Sequence, residues 1–152
     1  MVETTLCYIE RDGNYLMLFR NKKKEDINAG KWIGVGGKLE PGETPDECLL
    51  REVKEETGLE LTSYQKRGDI LFRTEPDGEE IMMYLYTADG FRGTLSESCN
   101  EGELAWIPIP EVMDLALWEG DRIFLKDLVE GKQDINLELV YRGDQLVKTI
   151  VR

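Results

Sequence analysis

Between Thr44 and Gly58 the sequence spells out one helix with both ends marked, and what that helix carries limits what the rest of the chain can be. Thr44 is a capping side chain, Pro45 has the fixed φ that suits the first helical position, and Glu47 stands three residues after the cap to complete a capping box. Gly58 supplies the stop. Leu49 and Val53, with Cys48 nearby, form an apolar stripe at helical spacing and leave Arg51, Glu52, Glu55 and Glu56 to the remaining helix surface.

Glu52, Glu55 and Glu56 fall at i, i+3 and i+4, so three carboxylates leave one side of the helix. Like charges at this spacing cost a helix about 0.2–0.5 kcal/mol per pair. Two things can offset that: open water with the neighbouring Arg51 and Lys54, or a bound cation. Just upstream lies Gly30-Lys31-Trp32-Ile33-Gly34-Val35-Gly36-Gly37-Lys38, whose glycine density marks backbone that turns tightly or approaches something closely. Carboxylates on a rigid helix beside such a turn offer a hard divalent ion oxygen ligands and room for substrate phosphates.

Strand signals surround this unit. Thr5 to Glu10 and Tyr15 to Arg20 flank an Asp12-Gly13 hairpin, and Leu59 to Arg73 and Glu80 to Thr87 flank Pro76-Asp77-Gly78. Glu103 to Ile107 reads as a further strand before the breaks at Pro108 and Pro110. Asp121 to Glu130 reads as a second helix, and Ile135 to Tyr141 with Gln145 to Val151 closes as a hairpin at Gly143-Asp144. A mixed sheet packed against two main helices is expected, as a single domain over residues 1–152.

Composition narrows the chemistry. Histidine is absent, which removes Ser-His-Asp and Cys-His catalysis together with imidazole metal sites. The three cysteines, Cys7, Cys48 and Cys99, are widely spaced and read as reduced, buried thiols. A net charge of −12 argues against binding a nucleic-acid polymer, although a small polyanion can still be held by a divalent cation and a local basic patch. No stretch is long and apolar enough to span a bilayer, and acid stands near the amino terminus where a secretory signal carries base. A cytoplasmic protein without membrane contact is expected.

Gly37-Lys38-Leu39-Glu40-Pro41-Gly42-Glu43, seven further residues, then Arg51-Glu52-Val53-Lys54-Glu55-Glu56-Thr57-Gly58-Leu59 resembles the Nudix box, G-x5-E-x7-R-E-U-x-E-E-x-G-U with U a bulky aliphatic. Every specified position is filled. With seven fixed residues at roughly 7% each, a chance match at a given start is on the order of 10⁻⁸. The segments Gly30-Lys31-Trp32 and Trp118-Glu119-Gly120-Asp121 are similar to the MutT-like branch that acts on oxidised purine nucleoside triphosphates.

That resemblance implies an α/β fold, an α/β/α sandwich around a mixed sheet. It implies a magnesium-dependent hydrolase, with manganese as a possible substitute, that converts a nucleoside triphosphate such as 8-oxo-dGTP into monophosphate and pyrophosphate. It implies that Glu52, Glu56 and the main-chain carbonyl of Gly36 hold the metal, that Glu55 supports the cluster, that Arg51 orients the carboxylates, and that Glu43 is a structural or outer contact. An acidic residue on a distant loop joins such clusters as the base; Glu101 is the best positional match, with Glu97 and Glu103 as rivals.

On the substrate side, Arg20, Lys23 and Lys24 are candidates to attract the triphosphate, Arg20 foremost because a strand end holds a side chain more firmly than a loop. Gly36, Gly37 and Lys38, with Ile33, are further candidates for substrate contact. Trp118 and Asp121 are placed to bracket a base, the ring as a wall and the carboxylate on the purine edge, the alternative being ordinary packing of a Trp at a helix entry. Two departures concern the base: Ile33 stands where relatives often carry an amide, and Gly120 where some carry a second acid. Two other functions stay open. One is a pyrophosphatase of ADP-ribose or another nucleoside diphosphate derivative, pointed to by Pro76; the other is a non-catalytic nucleotide-sensing domain. The expected partner is a small nucleoside polyphosphate, and the expected assembly a monomer or homodimer.

Overall fold

The structure is a computed structural model that describes residues 1–22, 27–96 and 98–152. β1 (Val2–Arg11) turns through Asp12 and Gly13, both at positive φ, into β2 (Asn14–Arg20). β3 (Trp32–Ile33), α1 (Pro45–Thr57), β4 (Glu60–Glu75), β5 (Glu79–Arg92), β6 (Ser98–Cys99) and β7 (Gly102–Pro108) come next. A 3₁₀ turn (Ile109–Asp114), α2 (Glu119–Val129), β8 (Leu137–Arg142) and β9 (Gln145–Val151) complete the order. The strands form one mixed sheet in the order β6-β7-β2-β1-β5-β4-β8-β9, with β3 added beside β2. β1 with β5 and β4 with β8 are parallel pairs, and the remaining pairs are antiparallel.

Alternation along the central strands builds two cores. Cys7 and Ile9 of β1, with Leu16, Leu18 and Val35, pack on Leu49 and Val53 of α1. Leu6 and Tyr8, with Met17, Met83 and Leu85, pack on Phe124, Leu125 and Leu128 of α2. One helix layer on each face gives the α/β/α sandwich. Leu49 and Val53 are fully buried, and burial of such side chains contributes about 1.5–3 kcal/mol each.

The strand pairing also places the glycine-rich segment. β1 and β2 are in register only from Ile9 to Arg11. Along the edge of β1 ahead of that stretch, Cys7 exchanges hydrogen bonds with Val35 (2.7 and 3.0 Å) and the Thr5 N–H donates to the Gly37 carbonyl (2.9 Å).

β1 begins three residues earlier than the sequence suggests, the 3₁₀ turn over Ile109–Asp114 is not foreshadowed by it, and three further elements differ. β5 continues past Thr87 to Arg92, because shifts of register in β4 near Ser63 and Gly68 keep the two long strands paired. β3 and β6 are strands that the sequence does not announce; two residues show no periodicity to read.

Candidate active site

α1 forms as its sequence dictates. The Thr44 side chain accepts from the Glu47 N–H, Glu47 returns the bond to the Thr44 N–H, and Gly58 closes the helix in the left-handed region at φ 79°. The carboxyl end of the helix is moored to the segment after β5. The Ser96 N–H donates to the Thr57 carbonyl (2.8 Å), and a Cβ at Gly58 would lie 2.9 Å from the Thr94 carbonyl oxygen.

Glu56 corrects the sequence reading. Its charge suggests the helix surface, but it shares the inward face with Cys48, Leu49 and Val53 and is only 7% exposed. The reason is geometric: position 56 lies three residues after Val53 and seven after Leu49, so the 3.6-residue period turns it inward. There its Oε2 accepts the Gly36 N–H at 3.0 Å. No side chain could stand at Gly36, since a Cβ would come within 2.1 Å of the Thr5 carbonyl oxygen. At Gly37 a Cβ would fall 2.4 Å from the Glu52 carboxyl carbon, so the bare backbone lies directly against that carboxylate.

Arg51 ties the acids together. Its Nε and Nη2 donate to the two oxygens of Glu43 (2.7 and 2.9 Å), and its Nη1 to Glu52 (2.8 Å) and Glu55 (3.3 Å); Nη2 also reaches the Lys38 carbonyl (3.1 Å). Glu43 also accepts the Glu40 N–H, and the Arg51 guanidinium together with that weaker bond holds its carboxyl down at about 2. Glu43 is thus a structural clamp. Glu55 stays at the rim, with its side chain 60% exposed and paired to Arg51, and does not turn inward beside Glu56.

Glu101, which the β6–β7 hairpin carries, reaches the cluster from the far side. Its Oε2 pairs with Arg20 Nη1 at the end of β2 (3.0 Å). Burial first, then the facing Glu101 carboxyl, raise the Glu56 carboxyl well above its ordinary value. Burial also raises Glu52, against the pull of Arg51. Of the rivals to Glu101, Glu103 is an exposed β7 residue paired with Phe19, and Glu97 lies outside the described residues, as do Lys23 and Lys24.

Among the described residues, no three acidic or thiol side chains already surround one point. As they stand, Glu52 is taken by Arg51, Glu56 by Gly36 and Glu101 by Arg20. The donor set nevertheless fits a hard divalent cation. Burial raises the proton affinity of Glu52 and Glu56, which is the condition a cation relieves, and all the groups are oxygens. Val35 and Gly37 turn their carbonyls to β1, while the Gly36 carbonyl between them accepts no hydrogen bond from the described residues.

The base-side candidates lie on the α2 face of the sheet. Trp118 precedes α2, donates its Nε1–H to Asn28 Oδ1 (2.7 Å) and meets Tyr141 edge-on (5.9 Å between ring centroids, 84°). Asp121 is 7% exposed, accepts no hydrogen bond from the described residues, and burial raises its carboxyl to about 7. Ile33 pairs with Leu18 and packs into the α1-side core, on the opposite face from Asp121. The Lys38 side chain is exposed, and its backbone bridges to Thr4. Pro76 lies in the turn between β4 and β5. Sequence reasoning passes over Tyr8, which is fully buried with a hydroxyl that has no partner among the described residues, and Asn28, which holds Trp118. A lone strand tyrosine or a loop asparagine gives no periodic signal.

The sandwich, with an acidic helix set against a glycine cradle, defines a hydrolase of the NUDIX kind. Residues 2–128 match the NUDIX domain, and the chain belongs to the Nudix family as a MutT-like Nudix hydrolase. It is 30% identical over 129 residues to the oxidized purine nucleoside triphosphate hydrolase of Danio rerio, covering 85% of this chain and 80% of that one. It is 31% identical over 121 residues to the CTP pyrophosphohydrolase of Escherichia coli (strain K12), covering 80% and 86%. The fold superposes on the MutT protein from Bacillus halodurans with a TM-score of 0.90 at 24% identity, over 99% of this chain and 97% of that one. Nudix hydrolases act on small nucleotide substrates, generally with a divalent metal ion. No described helix is long and apolar enough to cross a membrane.

Proposed function

We propose that this chain hydrolyses nucleoside triphosphates to monophosphate and pyrophosphate, with oxidised purine nucleotides such as 8-oxo-dGTP as substrates and Mg²⁺ as the working ion. The observation that carries the phosphate chemistry is the meeting of Glu52, Glu56 and Glu101 beside the side-chain-free backbone of Gly36 and Gly37. The purine reading is supported by the buried, unbonded Asp121 next to Trp118, and by the activity named for the Danio rerio relative.

Glu52, Glu56 and the Gly36 carbonyl would hold the cation, with Glu101 completing the set. A divalent ion bound there screens the phosphate charge and draws electron density from the reacting phosphoryl group. Arg51 keeps Glu52 aimed at Gly37, and the Gly36 N–H fixes Glu56. Glu101 takes the proton of the attacking water, held by Arg20 at the strand end. Water adds to one phosphorus of the α–β anhydride as that bridging P–O bond breaks, and nucleoside monophosphate and pyrophosphate separate. Arg20 thereby acts on the base rather than primarily as a counter-charge for triphosphate.

A panel of nucleoside triphosphates, ADP-ribose and nucleoside diphosphate sugars, assayed with Mg²⁺ for released pyrophosphate or phosphate, tests the reading. Turnover of ADP-ribose above every triphosphate would overturn it.

A further inference from the structure

The hydroxyl of Tyr141, on β8, accepts the backbone N–H of Gly120 at 2.7 Å. A Cβ at position 120 would lie 2.7 Å from that oxygen and 2.9 Å from Leu139 Cδ1. Position 120 therefore has no room for a side chain while Tyr141 is present, because the hydroxyl occupies that volume. The Tyr141 ring is itself wedged, edge-on to Trp118 and 6.3 Å from Phe72 between centroids.

The oxygen is thus engaged as an acceptor, and the hydroxyl proton finds no acceptor among the described residues. On the same α2 face, the fully buried Tyr8 hydroxyl has no partner among the described residues, and the buried Asp121 carboxyl accepts no hydrogen bond from them. The Asp121 charge acts on both tyrosines. A buried polar group is ordinarily satisfied, and Asp121 directly follows Gly120, whose N–H the Tyr141 oxygen holds, so an open hydroxyl proton and an open carboxylate side by side mark a place where a ligand completes the bonding. Burial raises the Tyr141 hydroxyl to about 12, so it stays a donor throughout the working pH range.

We infer that Tyr141 is a specificity-determining residue, whose hydroxyl, oriented by the Gly120 N–H, donates to a carbonyl oxygen on the edge of the bound purine. The role rests on the purine triphosphate reading above. It makes 6-oxo purines better substrates than 6-amino purines. Asp121 remains to accept from the donors on the same edge.

The test compares kcat and KM of the wild type and Tyr141→Phe on dGTP, 8-oxo-dGTP, dATP and the triphosphate of a purine lacking any 6-substituent. The Phe variant should lose about tenfold in kcat/KM on the 6-oxo substrates, mostly through KM, and several-fold less on the other two. A selectivity ratio within twofold of wild type, with or without a fall in melting temperature, makes Tyr141 structural and overturns the inference. Should the variant fail to fold, the wild type alone decides: discrimination below twofold between 6-oxo and unsubstituted purine overturns it. Absence of turnover on every triphosphate would instead sink the parent reading, and this one with it.

Discussion

Glu56→Gln separates the charge of this residue from its place in the fold. Glutamine has the same shape and keeps an oxygen to accept the Gly36 N–H, now 3.0 Å from Oε2, while its amide can donate toward Glu101. Glu56→Ala strands the Gly36 N–H, which costs about 1–3 kcal/mol, or about 2–12 °C in Tm for a chain of this size. The Gln variant should therefore melt at or above the wild type when metal is absent. A carboxyl with a raised folded-state value contributes stability that is complete at low pH and is lost as pH climbs from its ordinary 4.5 through the folded value. The Tm of metal-free wild type should accordingly fall with rising pH more steeply than that of Glu56→Gln. Turnover should behave oppositely, with kcat of the Gln variant down at least tenfold, about 1.4 kcal/mol in barrier, and KM little changed. Differential scanning fluorimetry at several pH values, with steady-state kinetics, reads both. A Gln variant that keeps more than a tenth of wild-type kcat, or melts as low as the Ala variant, refutes the reasoning.

Activity should vanish in excess chelator and return with Mg²⁺ or Mn²⁺, and should rise toward alkaline pH, since no histidine is present to tune proton transfer near neutrality; full turnover in chelator would end the cation reading. Gly37→Ala should lower kcat more than tenfold while the Arg51–Glu43 clamp keeps the chain folded, because the added methyl lands on the Glu52 carboxyl; wild-type kcat in this variant would show that Glu52 moves freely. Trp118→Ala should raise KM for purine triphosphates by removing an aromatic wall contributing about 1–3 kcal/mol, and unchanged kinetics with a lower Tm would make the ring purely structural. Asp121→Asn should shift the selectivity between oxidised and unmodified purines. Since burial places the Asp121 carboxyl at about 7, stability that the wild type loses as pH rises through that value should persist in the Asn variant, as a Tm series would show.

Much of the fold is legible in the sequence, for identifiable reasons. The Thr44 to Gly58 helix carries its own start and stop, and the hairpins at Asp12-Gly13, Pro76-Asp77-Gly78 and Gly143-Asp144 fall where the turn residues put them. The two-residue strands β3 and β6 are created by their partners, Leu18 and Phe19 for the first and Gly102 and Glu103 for the second, so nothing local announces them. Within the site, Arg51 and the carboxylates stand in a contiguous pattern. The inward turn of Glu56 is implicit in its spacing to Val53 and Leu49, and only the habit of assigning charge to surfaces obscures it. Tyr8 and Tyr141 stand far apart in sequence, on β1 and β8, and only the packing of α2 on this face puts the Asp121 charge within electrostatic reach of both.

The mooring of α1 through Gly58 and the Thr57 carbonyl divides mutational freedom unequally. Glu52 and Glu56 ride on a helix whose caps and core face fix it, so their geometry tolerates little drift. Glu101 arrives on a short hairpin after a segment pinned at Ser96, and each insertion or deletion between that pin and β7 would move the Glu101 carboxyl while leaving the helix carboxylates where they are. Libraries that vary the length of the segment between Ser96 and Glu101 should therefore yield folded variants with unchanged helix carboxylates that differ in turnover and in cation affinity together.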